Sequence, residues 1–440
     1  MSSSRAVWAI AAPAIASNAA SAVIVLTDTW AVGQLGEATA LAGMALAASA
    51  LTLLVTSLNF LRMGTTALTA QAGGAHQTTE QTAVLVRAVA IGLALGLALS
   101  VLAPVLAAAA PLLFGASAPA ASAATDYLLI RLLAAPLTLA NLALVGWLIG
   151  RLDARPVLLA ELVAMVVNAL LCWALVVQGP LGIAGAAIAS VGAESAKAVI
   201  LLAVAVRAAG GGPLRRGVRD AATWRRRDLL RLGAVNRDLF ARTLLLTLSF
   251  AAFTRTSAQG GEALLAANHV LFQLFLFGVL VLDGFEASAQ ALTGTALGAR
   301  SRSALIATLR LNLGWGAACA LLVATVLVAA LPLVAPHMAK APEVAALVVR
   351  YGAWLAPALL LGIWAFVLDG VYVGATWTRP LLATMALAVL AFGLALWGLP
   401  RVLGNDGLWA ALCVLMVARA AAQTARLGGL VRTALPDATP

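Results

Sequence analysis

Among the ionisable residues inside the long apolar runs of this sequence, five could hold or pass charge out of reach of water. Asp28 lies deep in the first run, and Arg255, Asp283, Glu286 and Asp369 fall in runs of the second half. A charged side chain at the centre of a membrane helix costs about 2.5 to 3.5 kcal/mol on insertion scales, so each is a candidate for function. A lone carboxylate such as Asp28 can take up a proton or hold a cation, and a substrate competing for the same group would couple two fluxes. The structural alternative is that Asp28 only bonds neighbouring helices, through Thr29 and Asn168. In the second half, Asp283 and Asp369 suit either a second ion or cationic substrate, or a fixed ion pair with Arg255. Pro13 precedes Asp28 by 15 residues on one helix and removes a backbone donor, which permits a bend there.

The elements that position these residues follow from composition. The chain has 440 residues, 63% hydrophobic and 10% charged, whereas about a quarter of the residues of a soluble domain are charged. Lipid accepts apolar side chains all round a helix, so bilayer spans explain the composition. At about 20 apolar residues per span, helices are expected near 6–33, 41–72, 82–113, 125–150, 156–177 and 182–206, then 234–258, 263–295, 304–333, 344–374, 380–399 and 407–430. The first run is too long for a signal-peptide core and is read as a retained helix. The expected fold is therefore an all-α membrane protein of twelve helices: an N-lobe over 1–206, an Arg-rich cytoplasmic linker over 207–233 and a C-lobe over 234–440.

All but two of the 28 basic residues are Arg, and most stand in short breaks between the runs. That pattern, at a net charge of +11, fits membrane topology and not nucleic-acid binding. Alternate breaks carry Arg87, Arg151, Arg155, Arg300, Arg302, Arg379, Arg426 and Arg432, and the opposite breaks carry Glu37, Asp126, Glu262, Glu343 and Asp406. Both termini are then expected on the cytoplasmic side of a bacterial inner membrane.

An internal repeat runs through the chain. Leu68–Ala75 matches Leu292–Ala299 at five of eight positions, at an offset of 224. The same offset pairs Gly146 with Gly370, Gly150 with Gly374 and Arg155-Pro156 with Arg379-Pro380. Two six-helix repeats imply alternating access. Arg62 and Glu286 occupy equivalent positions, which invites the expectation that they latch the lobes in one conformation.

The ordered motifs Asp28-Thr29, Gly33-Gln34-Leu35-Gly36, Asn59-Phe60-Leu61-Arg62-Met63-Gly64-Thr65-Thr66 and Thr69-Ala70-Gln71-Ala72 resemble the MATE (multidrug and toxic compound extrusion) family, in its DinF-like branch. The second half agrees with Thr254-Arg255 before Gly260, Ala267-Asn268, Leu282-Asp283-Gly284-Phe285, Gly298-Ala299-Arg300, Leu368-Asp369-Gly370 and Gly374-Ala375-Thr376. The resemblance implies two six-helix lobes that export amphipathic, often cationic compounds in exchange for H⁺ or Na⁺. It places Asp28 at the family's first-helix acid, Asn168 at a family polar position, and Arg255, Asn268, Asp283 and Asp369 in a C-lobe polar set, with Glu286 a less certain match. Where many relatives carry a second N-lobe acid this chain has Cys172. One carboxylate offers few oxygens to Na⁺, so H⁺ is the expected coupling ion.

No cofactor is expected. Neither lysine, Lys197 or Lys340, stands in a Gly-rich G-K-[ST] loop, and no H-E-x-x-H or G-x-S-x-G element occurs, which argues against an ATP-driven pump and an intramembrane enzyme. Cys172, Cys319 and Cys413 read as small core residues. Phe272, Phe275, Phe277 and Trp364 are candidates for a drug-stacking cavity. The runner-up function is a flippase for a lipid-linked oligosaccharide. The expected partners are small amphipathic cations and membrane lipid, with the protein a monomer.

Overall fold

The computed structural model describes residues 3–113, 118–338 and 341–436; Lys340 and the last residues of the C-lobe lie outside them. The described chain is helical, with no strand among the described residues. In order the helices are α1 (Ser4–Gly33), α2 (Ala38–Leu58), α3 (Phe60–Gly74), α4 (Thr78–Leu113), α5 (Ala118–Leu133), α6 (Ala135–Gly150), α7 (Arg155–Cys172) and α8 (Gly182–Ala209). Then follow α9 (Gly211–Arg219), α10 (Arg226–Ala258), α11 (Glu262–Gly298), α12 (Arg302–Met338), α13 (Pro342–Tyr351), α14 (Leu355–Gly374), α15 (Thr378–Leu403) and α16 (Asn405–Ala434).

These helices assemble into spans for identifiable reasons. Among the described residues, ten segments are long and apolar enough to cross a bilayer; α2 with α3 makes one of them and α13 with α14 another. An eleventh is α5 with α6, bent by 54° between them. Pro136 sits in the first turn of α6 and has no backbone donor to continue α5, so the bend falls where a hydrogen bond is missing. The twelfth expected span is α10, whose 33 residues are long enough but less apolar than the other spans, because it carries Arg226, Arg227, Asp228, Arg237, Asp238, Arg242 and Arg255. α9 is the short helix of the Arg-rich linker, and the segment is tied down by Arg87 of α4. That buried guanidinium donates to the Thr223 carbonyl at 2.8 Å, pairs with Glu80 at 3.0 Å and lies 4.0 Å from Asp228.

The chain separates into two units, one of Ala16–Gly73 with Gln77–Asn236, the other of Met1–Ile15, Gly74–His76 and Arg237–Pro440. α1 is continuous through Pro13, and its first part groups with the C-terminal unit while its second part, with Asp28, groups with the N-terminal one.

Inside each unit the same glycine contacts recur at the repeat offset. A methyl on Gly146 would lie 2.5 Å from the Arg62 carbonyl oxygen, and one on Gly370 would lie 2.3 Å from that of Glu286. Gly150 stands over the Thr66 carbonyl and Gly374 over that of Gln290, at 2.7 and 2.2 Å from the methyl position. Gly92 meets the Leu139 carbonyl, whereas its counterpart Gly316 meets the Ile363 side chain. Small residues let helix backbones approach where lipid offers no hydrophobic drive for association, so these pairs fix how α6 lies on α3 and α14 on α11.

Gly370→Leu is therefore expected to cost about 1–3 kcal/mol through overpacking and to lower the melting temperature in detergent. Gly393→Leu, where a methyl meets nothing within 4 Å, is expected to leave it nearly unchanged; equal melting curves would contradict this packing account.

Candidate ion-coupling site

Asp28 is 3% exposed and is held by four side chains from three helices. Its Oδ1 accepts from Asn168 Nδ2 at 2.8 Å and from Cys172 Sγ at 3.2 Å, both on α7. Its Oδ2 accepts from Ser190 Oγ of α8 at 2.6 Å and from Tyr127 Oη of α5 at 3.3 Å. Asn168 and Cys172 are one turn apart on one face of α7, and a π-helical turn, Trp173–Val177, follows at once. Such single π turns recur at functional sites. Val32, Val176, Ala186, Ala187 and Ala189 close the surroundings as an apolar shell.

All four donors are neutral, and no cationic side chain reaches Asp28 among the described residues. The sequence reading anticipated Asn168, but read Cys172 as filler and missed Ser190 and Tyr127. Their hydroxyls sit in stretches where Ser and Tyr are unremarkable, and only the packing of α8 against α7 and α5 brings them to the acid.

Asp369 of α14 is fully buried and is held in the opposite way. Arg242 of α10 and Arg419 of α16 both bond its Oδ2, the latter at 2.5 Å, and Gln423 donates to Oδ1. Arg419 and Gln423 are one turn apart, and the Arg419 guanidinium also covers the Phe366 ring at 5.2 Å. Asp283 and Glu286 of α11 lie in the field of both arginines. Arg255 is not the partner expected for Asp369: it is exposed near the end of α10. Thirteen residues separate it from Arg242, about 3.6 turns, which puts the two on different faces.

Asn268 centres a separate network in the C-terminal unit. Its Nδ2 donates to Ser257 and to Asn405 at 2.8 and 2.6 Å, and its Oδ1 accepts from Asn405 and from Trp409 Nε1. These bonds tie α10, α11 and α16 together. Arg62 bonds Asn59 at 2.8 Å, within its own unit. The aromatic candidates do not gather round one cavity: Phe272 packs on Phe250, Phe253 and Phe275, while Phe277 and Trp364 are exposed.

The MatE family model matches residues 13–174 and 239–397. The chain is 35% identical to DNA damage-inducible protein F of Escherichia coli strain K12, over 95% of this chain and 90% of that protein. Its fold is similar to that of a MOP superfamily transporter from Pyrococcus furiosus, with a TM-score of 0.86 at 18% identity over 97% of this chain and 96% of the other. It is also similar to that of an outward-facing multidrug resistance MATE family transporter, with a TM-score of 0.85 at 17% identity over the same shares of the two chains.

The two aspartates predict opposite responses to loss of charge. Asp369→Asn leaves Arg242 and Arg419 buried without their counter-ion and is expected to destabilise by about 3–5 kcal/mol. Asp28→Asn keeps a group that its neutral neighbours can bond and is expected to cost far less. Thermal unfolding of the two variants checks this, and an equal loss for both would contradict it.

Proposed function

Because the chain belongs to the MatE family, whose members are secondary transporters and not enzymes, we propose that it is a proton-coupled exporter of amphipathic, often cationic compounds, coupled at Asp28. As a member of that family the chain is a multidrug transporter and a multi-pass protein of the inner membrane.

The observation that carries the coupling step is the contrast between the two buried aspartates. Asp369 already has two guanidinium counter-ions, so a further cation gains little there. Asp28 has none, so when ionised it is an uncompensated charge that either a proton or an organic cation neutralises. Its surroundings suit both states. Ser190 and Tyr127 hydroxyls donate or accept, and the buried Asn168 Oδ1 has no partner and supplies an acceptor for a protonated carboxyl after an amide flip.

Na⁺ is the weaker choice, because it seeks several oxygen ligands and here a thiol and an amide nitrogen take two of the places round the carboxylate. Protonation at Asp28 releases bonds that fasten the second part of α1 to α7 and α8, and Pro13 supplies a bend upstream. The lipid-linked oligosaccharide flippase reading is not favoured by the MatE match. The Arg62–Glu286 latch, termini on the cytoplasmic side, the lobe and linker boundaries 1–206, 207–233 and 234–440, and a monomeric state complete the proposal.

The test is uptake of a fluorescent cationic dye into inside-out vesicles under an imposed pH gradient. Uptake that Asp28→Asn reduces to background at matched expression is the expected result. Uptake retained by the variant would overturn the assignment and move coupling to Asp283 and Asp369; uptake driven by Na⁺ alone would overturn the choice of ion.

A further inference from the structure

A second polar layer lies two helical turns from the Asp28 cage. Ser21 stands seven residues before Asp28 on α1, Glu161 seven before Asn168 on α7, and Lys197 seven after Ser190 on α8. Seven residues make almost two turns, so each lies on the same face as its counterpart, about 10 Å further along. Glu161 Oε1 accepts from Ser21 Oγ, and Glu161 Oε2 lies 2.6 Å from Lys197 Nζ. Glu161 is buried and Lys197 nearly so. Glu194, on α8 with Lys197, accepts from Asn141 of α6 at 2.6 Å, and Glu194 and Arg62 of α3 both lie in the field of Lys197.

This layer sits between Asp28 and the Arg-bearing ends of α7 and α8, marked by Arg155 and Arg207. Between Ala16 and Asp28, α1 has no other ionisable side chain, and α7 has none between Glu161 and Asn168. On α8, Glu194 stands between Ser190 and Lys197, so a proton leaving Asp28 in that direction reaches a cluster of Glu161, Glu194 and Lys197. A buried ion pair adds little net stability compared with apolar packing, and ionisable groups inside a membrane protein mark proton routes.

Building on the coupling role of Asp28, we propose that Glu161 is a proton-relay residue between Asp28 and the Arg-bearing face. Asp28 gives up one proton through intervening water and the Glu161 carboxylate accepts one. Lys197 then keeps Glu194 as its counter-ion while Glu161 is neutral. Glu161 next returns the proton to water at the start of α7. Ser21 and Asp28 lie on one face of α1, so both carboxylates fasten the same helix and report their protonation to it.

The experiment compares two transport modes of the full chain in proteoliposomes. One is uptake of the cationic dye driven by a pH gradient, the other dye-for-dye exchange at equal pH, which needs no net proton movement. Glu161→Gln is expected to slow the first about tenfold or more while leaving exchange and dye affinity near the parent values. Unchanged gradient-driven uptake would overturn the relay, and so would a parallel fall in both modes, which is what a purely structural pair gives. If the single variant does not fold, Glu161→Gln with Lys197→Met removes both charges together and faces the same two criteria. Gradient-driven uptake lost in Asp28→Asn but intact in Glu161→Gln sinks this inference alone, whereas uptake intact in Asp28→Asn sinks the coupling reading on which it rests.

Discussion

A carboxylate buried in a bilayer span has to be met by cations or by hydrogen-bond donors, and which of the two it receives decides what it can do. Asp369 receives two guanidinium groups and an amide, an arrangement in which removing the carboxylate strands both cations. Asp28 receives an amide, a thiol and two hydroxyls, so its charge is solvated by dipoles but never cancelled. In the proposed coupling step a proton or an organic cation supplies the neutralisation. The remaining structure around Asp28 holds that arrangement in place: an apolar shell, a π turn after Cys172, and α7 packed against α8.

The scaffold that holds both aspartates is one design used twice. Glycine-to-carbonyl contacts at an offset of 224 seat α6 on α3 in one unit and α14 on α11 in the other. The chemistry placed on this common frame differs. The position that carries Arg62 in the first repeat carries Glu286 in the second, and Asp369 corresponds to Val145. Pseudo-symmetric packing thus carries asymmetric charge, with neutral donors round Asp28 in one unit and two guanidinium groups on Asp369 in the other.

Much of this was legible in the sequence. The apolar runs gave the spans, the 224-residue repeat foretold the matching glycines, and the isolation of Asp28 in an apolar run marked it as a candidate. Asp369 was marked too, but with the wrong cation. Hydropathy places Arg255 within a span, yet helical phase turns it away from Arg242, and only the packing of α10 and α16 against α14 identifies the true partners. Ser190 and Tyr127 carried no signal, because hydroxyls are common in membrane helices and their meeting with Asp28 is tertiary. The Glu161–Lys197 layer did carry one. The heptad spacings Ser21 to Asp28, Glu161 to Asn168 and Ser190 to Lys197 put polar residues on single faces of three otherwise apolar helices, a pattern that appears only when the three are read together.

The central claim is that a proton and a cationic substrate compete for the Asp28 carboxylate. The most direct test is a count of protons released into weakly buffered detergent solution when a cationic dye binds the purified protein, at a pH where the free site is protonated. The account predicts about one proton released per dye bound by the parent protein and none by Asp28→Asn. Dye binding without proton release in the parent, or equal release from both proteins, would contradict it.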